Sequence, residues 1–217
     1  QRSRNAANIR DEIAELAAAG VAEIGLVAQD LAAYGRDIGG PGIVDLIRSV
    51  TTVEGLRRLR LYYLYPREIR PELIAEMADN GLVADYFDLS LQHISADLLR
   101  AMKRPGSGET HRALIGRIRT AAPGAALRSS FIVGFPGETE DEWRQTLDFA
   151  RQMAFGHIHI FAYSPRAGTK AAGMSDQITR GVKRERSRQL HEVAAAGRRK
   201  ASGRTGESPP HRQKQRQ

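Results

Sequence analysis

The stretch Arg128-Ser-Ser-Phe-Ile-Val-Gly-Phe-Pro-Gly-Glu138 carries the densest chemistry in the chain. An apolar run enters a Gly-x-Pro-Gly turn and leaves it as an acidic helix start. Gly134 and Gly137 lack a Cβ, so the sugar or base of a ligand can lie against the backbone there. Glu138, Glu140, Asp141 and Glu142 fall in the first helical turn, where the helix dipole favours negative charge. The same spacing equally suits a tight strand-to-helix turn that holds no ligand. The Arg128 guanidinium matches the fork of a carboxylate, either on a ligand or on a neighbouring strand. His93 has neither His nor Cys at ligand spacing and is not read as a metal ligand. Cysteine is absent from all 217 residues. That excludes disulfides, thiolate catalysis and any cysteine-ligated metal or iron–sulfur site within this sequence.

These residues need a scaffold, and the periodicity supplies one. Asn5 to Ala19 reads as a helix, with Ile9, Ile13 and Leu16 on one face and Gly20 as the stop. Strands are predicted at Val21 to Ala28, Leu59 to Leu64, Tyr86 to Leu91, Ala126 to Val133 and His157 to Tyr163. Helices are predicted between them: Ile43 to Val50, Pro71 to about Asp79, Ala96 to Met102, Glu109 to Ala121 and Thr139 to Met153. Pro71 suits a first helical position, and Thr139 with Glu142 forms a capping-box pattern. A last helix is predicted over Thr179 to Arg199. Strand–helix alternation demands parallel strands with helical crossovers, in a doubly wound or barrel-like α/β fold. Functional groups in such folds lie just beyond the strand C-termini. Those positions hold Gln29-Asp30, Tyr65-Pro66, Gln92-His93, Gly134 to Glu138 and Ser164 to Thr169. Tyr62, Tyr63 and Tyr65 cluster on one strand, with alternation placing Tyr63 and Tyr65 together in the core.

Charge divides the chain. Residues 1–179 hold 21 Lys and Arg against 22 Asp and Glu, whereas residues 180–217 hold 12 against 3. The whole net charge of +8 therefore comes from the C-terminal segment. Residues 197–217 contain no large apolar side chain and are expected to be a disordered basic tail. Such a tail is either simply solvated or makes weak contacts with RNA phosphates. The longest apolar runs are too short to span a membrane, and no signal-peptide pattern opens the sequence. A cytoplasmic protein with no membrane partner is expected.

Phe131-Ile-Val-Gly-Phe-Pro-Gly-Glu138 resembles the fifth-strand segment of radical S-adenosylmethionine (SAM) methylthiotransferases. Val27-Ala-Gln-Asp30 with Tyr34-Gly35, and Tyr86-Phe-Asp-Leu-Ser-Leu-Gln-His93, resemble the same family. So do Met102-Lys-Arg-Pro-Gly-Ser107 and Tyr163-Ser-Pro-Arg-Ala-Gly-Thr169. Residues 21–138 are most similar to the branch that modifies an aspartate of a small-subunit ribosomal protein. Residues 157–177 look more like the tRNA-modifying branch.

The resemblance implies an α/β fold, a partial TIM-like barrel of the radical SAM type. It implies a 4Fe-4S cluster, held by a Cys-x3-Cys-x2-Cys loop, that cleaves SAM to a radical. This sequence lacks that loop and the first strand, so residues 1–196 are expected to supply strands two to six. The implied function is a fragment of a methylthiotransferase acting on a ribosomal-protein aspartate. The alternatives are a fragment of a tRNA adenosine methylthiotransferase, or a cluster-less remnant that only binds ligand or RNA. Carried onto this sequence, the family places Gln92, Arg128, Ser130, Gly134 and Glu138 against SAM. No catalytic residue and no metal ligand is assigned, and the chain alone is expected to be inactive. Ser90 stands where the family commonly has a proline.

Overall fold

A computed structural model describes the backbone of residues 2–205 and the side chains of residues 2–197. The chain divides into two compact units. Unit 1 comprises Gln1–Leu89 and Arg117–Ala125; unit 2 comprises Ser90–Gly116 and Ala126–Gln217.

Unit 1 begins with α1 (Ala6–Ala18), whose first turn is capped by Asn5 accepting from Ala7 N–H at 2.8 Å. Strand β1 (Glu23–Leu26), α2 (Ile43–Val50), β2 (Arg58–Leu61) and α3 (Pro71–Asp79) follow. β1 and β2 pair in parallel, in register from Glu23 with Arg58 to Leu26 with Leu61. Parallel bridges Leu59–Val83 and Leu64–Leu89 continue the pairing beside β2. Strands and helices bury their apolar residues alike: Ile47, Val50, Leu59, Leu61, Leu64, Met77, Phe87 and Leu89 are all fully buried. Truncating any of the leucines to Ala removes contacts on every side, at a cost of about 2–5 kcal/mol.

β2 is shorter than its apolar pattern predicts. Tyr63 takes φ +55°, which ends the extended run and cancels the alternation. Its ring is therefore 41% exposed instead of in the core. The Tyr63 N–H turns to the fully buried Asp88 carboxylate at 3.3 Å.

β3 (Tyr86–Gln92) has its first four residues in unit 1 and its last three in unit 2. Unit 2 continues with α4 (Ala96–Ala101), most of α5 (Gly108–Ala121), β4 (Ala126–Val133), α6 (Glu140–Met153), β5 (His157–Ala162) and α7 (Arg180–Thr205). The sheet order is β3-β4-β5. β4 and β5 run parallel, from Arg128 opposite His157 to Val133 opposite Ala162. One face carries Ser129, Phe131 and Val133, all fully buried, and Phe131 meets Phe155, which in turn meets Phe149. The Phe131 and Phe155 rings meet edge to face with centroids 6.0 Å apart.

The predicted capping box starts α6. Thr139 Oγ1 accepts from Glu142 N–H at 3.2 Å, and the Glu142 carboxylate accepts from Thr139 N–H at 2.9 Å. α7 runs past its predicted end to Thr205, so residues 197–205 of the expected disordered tail are helical. Gly197 shows why the helix sits so close: a Cβ there would come within 2.6 Å of the Phe155 carbonyl oxygen. The rest of the expected tail, residues 206–217, lies outside the described residues. Among the described residues, no helix is long and apolar enough to cross a membrane.

Candidate functional site

The five residues singled out from the sequence all lie in unit 2, on or just after β3 and β4. Gln92 ends β3 with φ +69°, a conformation that side chains with a Cβ rarely adopt. The His93 N–H closes back on the Leu91 carbonyl at 2.9 Å, making Gln92 the centre of a three-residue γ-turn. Backbone cost of this kind, of order 1–3 kcal/mol, persists only where the surroundings impose it.

The surroundings are polar and buried. Ser95 N–H donates to His93 Nδ1 at 3.0 Å. With Nδ1 accepting, the ring proton sits on Nε2, which lies 3.0 Å from Glu138 Oε1. Both side chains are fully buried. The second oxygen, Glu138 Oε2, accepts from Gly134 N–H at 2.5 Å and from Arg186 Nη1 at 2.7 Å. Arg186 Nη1 also reaches the Glu138 carbonyl at 3.1 Å, and Nη2 reaches Glu140 at 3.3 Å. The Glu138 carboxylate is thus fully buried and accepts from three groups of the protein itself. It ties the end of β4, the loop after β3 and helix α7 to one point.

Gly134 takes φ +70° and Gly137 φ +84°, both favourable only for glycine. The space a side chain would use at Gly134 is filled by Lys183, whose Cγ lies 2.4 Å from an ideal Cβ position. Lys183 Nζ donates to the Tyr163 carbonyl at 2.9 Å and lies over the Tyr163 ring. Tyr163 in turn meets Phe135 edge to face, with centroids 5.3 Å apart. The Tyr163 hydroxyl is buried and has no hydrogen-bond partner among the described residues.

Arg128 and Ser130 sit two residues apart on β4, so they share a face. They are 8% and 5% exposed, buried for such polar groups. In register beside them on β5 are His157 and His159, with Phe161 further along. The rings of His157, His159 and Phe161 stack edge to face in series along that strand. This face of the sheet carries the Arg128 guanidinium, the Ser130 hydroxyl and two imidazoles, opposite to the face of Ser129, Phe131 and Val133.

Two further groups feel this environment. Burial, and after it the proximity of His93, pushes His111 down to about 4. Burial raises Glu142, but bonds from the Ser95 hydroxyl and from Thr139 outweigh it and hold Glu142 below the usual carboxylate range. In unit 1, burial first and the Glu68 charge second push Asp30 up. Asp30 also lines a cavity of about 520 Å³ between α1 and β1, together with Ile13, Leu16, Ile24 and Tyr34. None of the five predicted residues borders that cavity.

Arg186, Lys183 and Ser95 were invisible to spacing arguments. Arg186 stands 48 residues from its partner, in a helix whose composition reads as solvated. Its burial beneath Trp143, 5.8 Å from the ring, is a property of packing alone.

Comparison with known proteins matches residues 1–150 to the Radical SAM superfamily. Over 199 residues the chain is 44% identical to the ribosomal protein uS12 methylthiotransferase RimO of Anaeromyxobacter sp. (strain K), covering 90% of this chain and 42% of that protein. The RimO protein of Desulforamulus reducens is 44% identical over 186 residues, covering 85% of this chain and 42% of that one. The chain thus spans about two-fifths of these relatives. Among solved structures, coproporphyrinogen III oxidase (HemN) from Escherichia coli superposes with a TM-score of 0.67 at 14% identity, covering 88% of this chain and 46% of that one. The methyltransferase TsrM from Kitasatospora setae gives 0.58 at 19% identity, covering 73% and 31%. At such identities these structures speak to fold alone.

Proposed function

The chain belongs to the radical SAM superfamily, and on that premise we propose that it provides part of the SAM-facing core of a methylthiotransferase that modifies an aspartate of a ribosomal protein. The observation that carries this reading is the 40–44% identity to uS12 methylthiotransferases over most of the chain. A tRNA-modifying role rests only on the likeness within residues 157–177, and the relatives favour the ribosomal protein.

The residues present fit one of the two groups that the family uses and not the other. An iron–sulfur cluster needs thiolates, and the sequence has no cysteine. Among the described residues no three His, Asp or Glu side chains gather to replace them. These residues therefore do not hold a cluster, and this chain alone is not expected to turn over.

SAM fits better. Its methionine end carries a carboxylate, and the Arg128 guanidinium with the neighbouring Ser130 hydroxyl is a donor set for it on a buried strand face. The Gln92 amide, held at the strand end, supplies a further donor and acceptor. Gly134 contributes only through the turn it makes, since its N–H is committed to Glu138 and Lys183 fills the space beside its Cα. When bound, SAM supplies a methyl group; these residues orient the ligand. Calorimetry with SAM is the test. No measurable heat at millimolar ligand would sink the reading.

The basic C-terminal segment adds a weaker expectation. Its seven Lys and Arg after residue 197, against one acid, would give salt-sensitive RNA affinity without sequence preference.

A further inference from the structure

We infer that His93 is a positioning residue: through its Nε2–H bond to Glu138 it holds the γ-turn that aims Gln92 at the ligand, in step with the Gly134 turn. The inference rests on the SAM-site reading for its ligand, but not for its geometry. Gln92 occupies a backbone state that costs free energy, so something adjacent must impose it. His93 is the next residue. Its N–H closes the turn on Leu91, and its ring is fixed at both nitrogens.

The two nitrogens do different work. Nδ1 accepts from Ser95 N–H, which sets the start of α4. Nε2 donates to Glu138 Oε1, with Thr146 Oγ1 a longer neighbour at 3.4 Å. The Thr146 hydroxyl proton is committed to the Glu142 carbonyl at 2.9 Å, so Thr146 competes for His93 only as an acceptor. Glu138 carries the constraint on. Its other oxygen holds the Gly134 N–H, and Arg186 balances the buried charge. Two side chains therefore link the strand-end turn at Gln92 to the glycine turn at the end of β4. A displaced His93 would release both turns together, because buried polar networks fail as units.

The test separates the two ring nitrogens in the full chain. His93→Gln keeps a donor for Glu138 at the length of Nε2, and His93→Asn keeps an acceptor for Ser95 at the length of Nδ1. S-adenosylhomocysteine serves as the probe. His93→Asn should weaken its binding roughly ten- to hundredfold, as expected for losing a buried bond to a charged group. His93→Gln should restore most of that affinity. Amide hydrogen exchange at Gly134 should quicken in His93→Asn and not in His93→Gln. Nitrogen-15 spectra of the unsubstituted chain should show the His93 proton on Nε2, a result that stands even where a variant fails to fold. A proton on Nδ1, or an Asn variant as protected as the Gln variant, would overturn the inference. A chain that binds no probe while showing the expected tautomer and exchange pattern would overturn the SAM reading and leave the role of His93 intact.

Discussion

The Lys183 side chain lies across the face of Gly134, so that an ideal Cβ at Gly134 would come within 2.4 Å of Lys183 Cγ. The glycine is required twice over, by its φ of +70° and by the lysine stem. Gly134→Ala should therefore cost the left-handed backbone penalty of about 1–2 kcal/mol plus the overlap. Lys183→Ala should remove the overlap and leave the backbone cost. Chemical denaturation of the two single variants and the double variant checks this, with the expected coupling favouring the double variant over the sum of the singles.

Arg186 is the counter-charge of a buried carboxylate. Arg186→Leu leaves Glu138 buried with its charge uncompensated, and should destabilise the protein by about 3–5 kcal/mol. Replacing both partners, Glu138→Gln with Arg186→Leu, should recover much of the loss. Urea midpoints for the single and double variants measure it. A near-neutral Arg186→Leu would mean that water reaches the network.

His111 makes stability depend on pH. It is 2% exposed, and its pKa falls from 6.5 when free to about 4 in the fold. Between those values the unfolded chain holds the extra proton, so lowering the pH favours unfolding. The stability lost should grow from pH 6.5 downward and level off below about 4, reaching about 3 kcal/mol. Paired carboxylates such as Glu142 also lose stability in acid, so the comparison needs His111→Met. That variant should be flatter than the natural chain between pH 7 and 5, as read by urea unfolding.

Arg128 can be tested by ligand dissection. Arg128→Met should weaken SAM roughly tenfold or more, the range for a charge-assisted bond. The same variant should bind methylthioadenosine, which lacks the amino-acid carboxylate, as the natural chain does. Equal losses for both ligands would assign Arg128 to the structure of the sheet.

Anaerobic reconstitution with iron and sulfide should leave this chain without a 4Fe-4S signal, because it offers no thiolate. Visible absorption and electron paramagnetic resonance read this directly. A stoichiometric cluster signal would require ligation by other residues.

The sequence by itself determined the order of elements and most of their bounds. The apolar run that enters the glycine turn, Ala126 to Val133, became a strand, and the i to i+3 pattern of Thr139 and Glu142 became a capping box. These are local interactions, complete within a few residues, so composition and spacing suffice to write them. The left-handed turn at Tyr63 and the γ-turn at Gln92 were not written there, because neither residue type favours that backbone. Packing imposed them through Asp88 and through His93. The same holds for the core of the site. Glu138 was legible as a helix-start acid, but its partners His93 and Arg186 lie 45 and 48 residues away. Only the docking of α7 on the sheet brings Arg186 and Lys183 to the β4 turn. That closed the space at Gly134 and turned Glu138 inward, since a buried carboxylate must find its charge and hydrogen bonds wherever the fold supplies them.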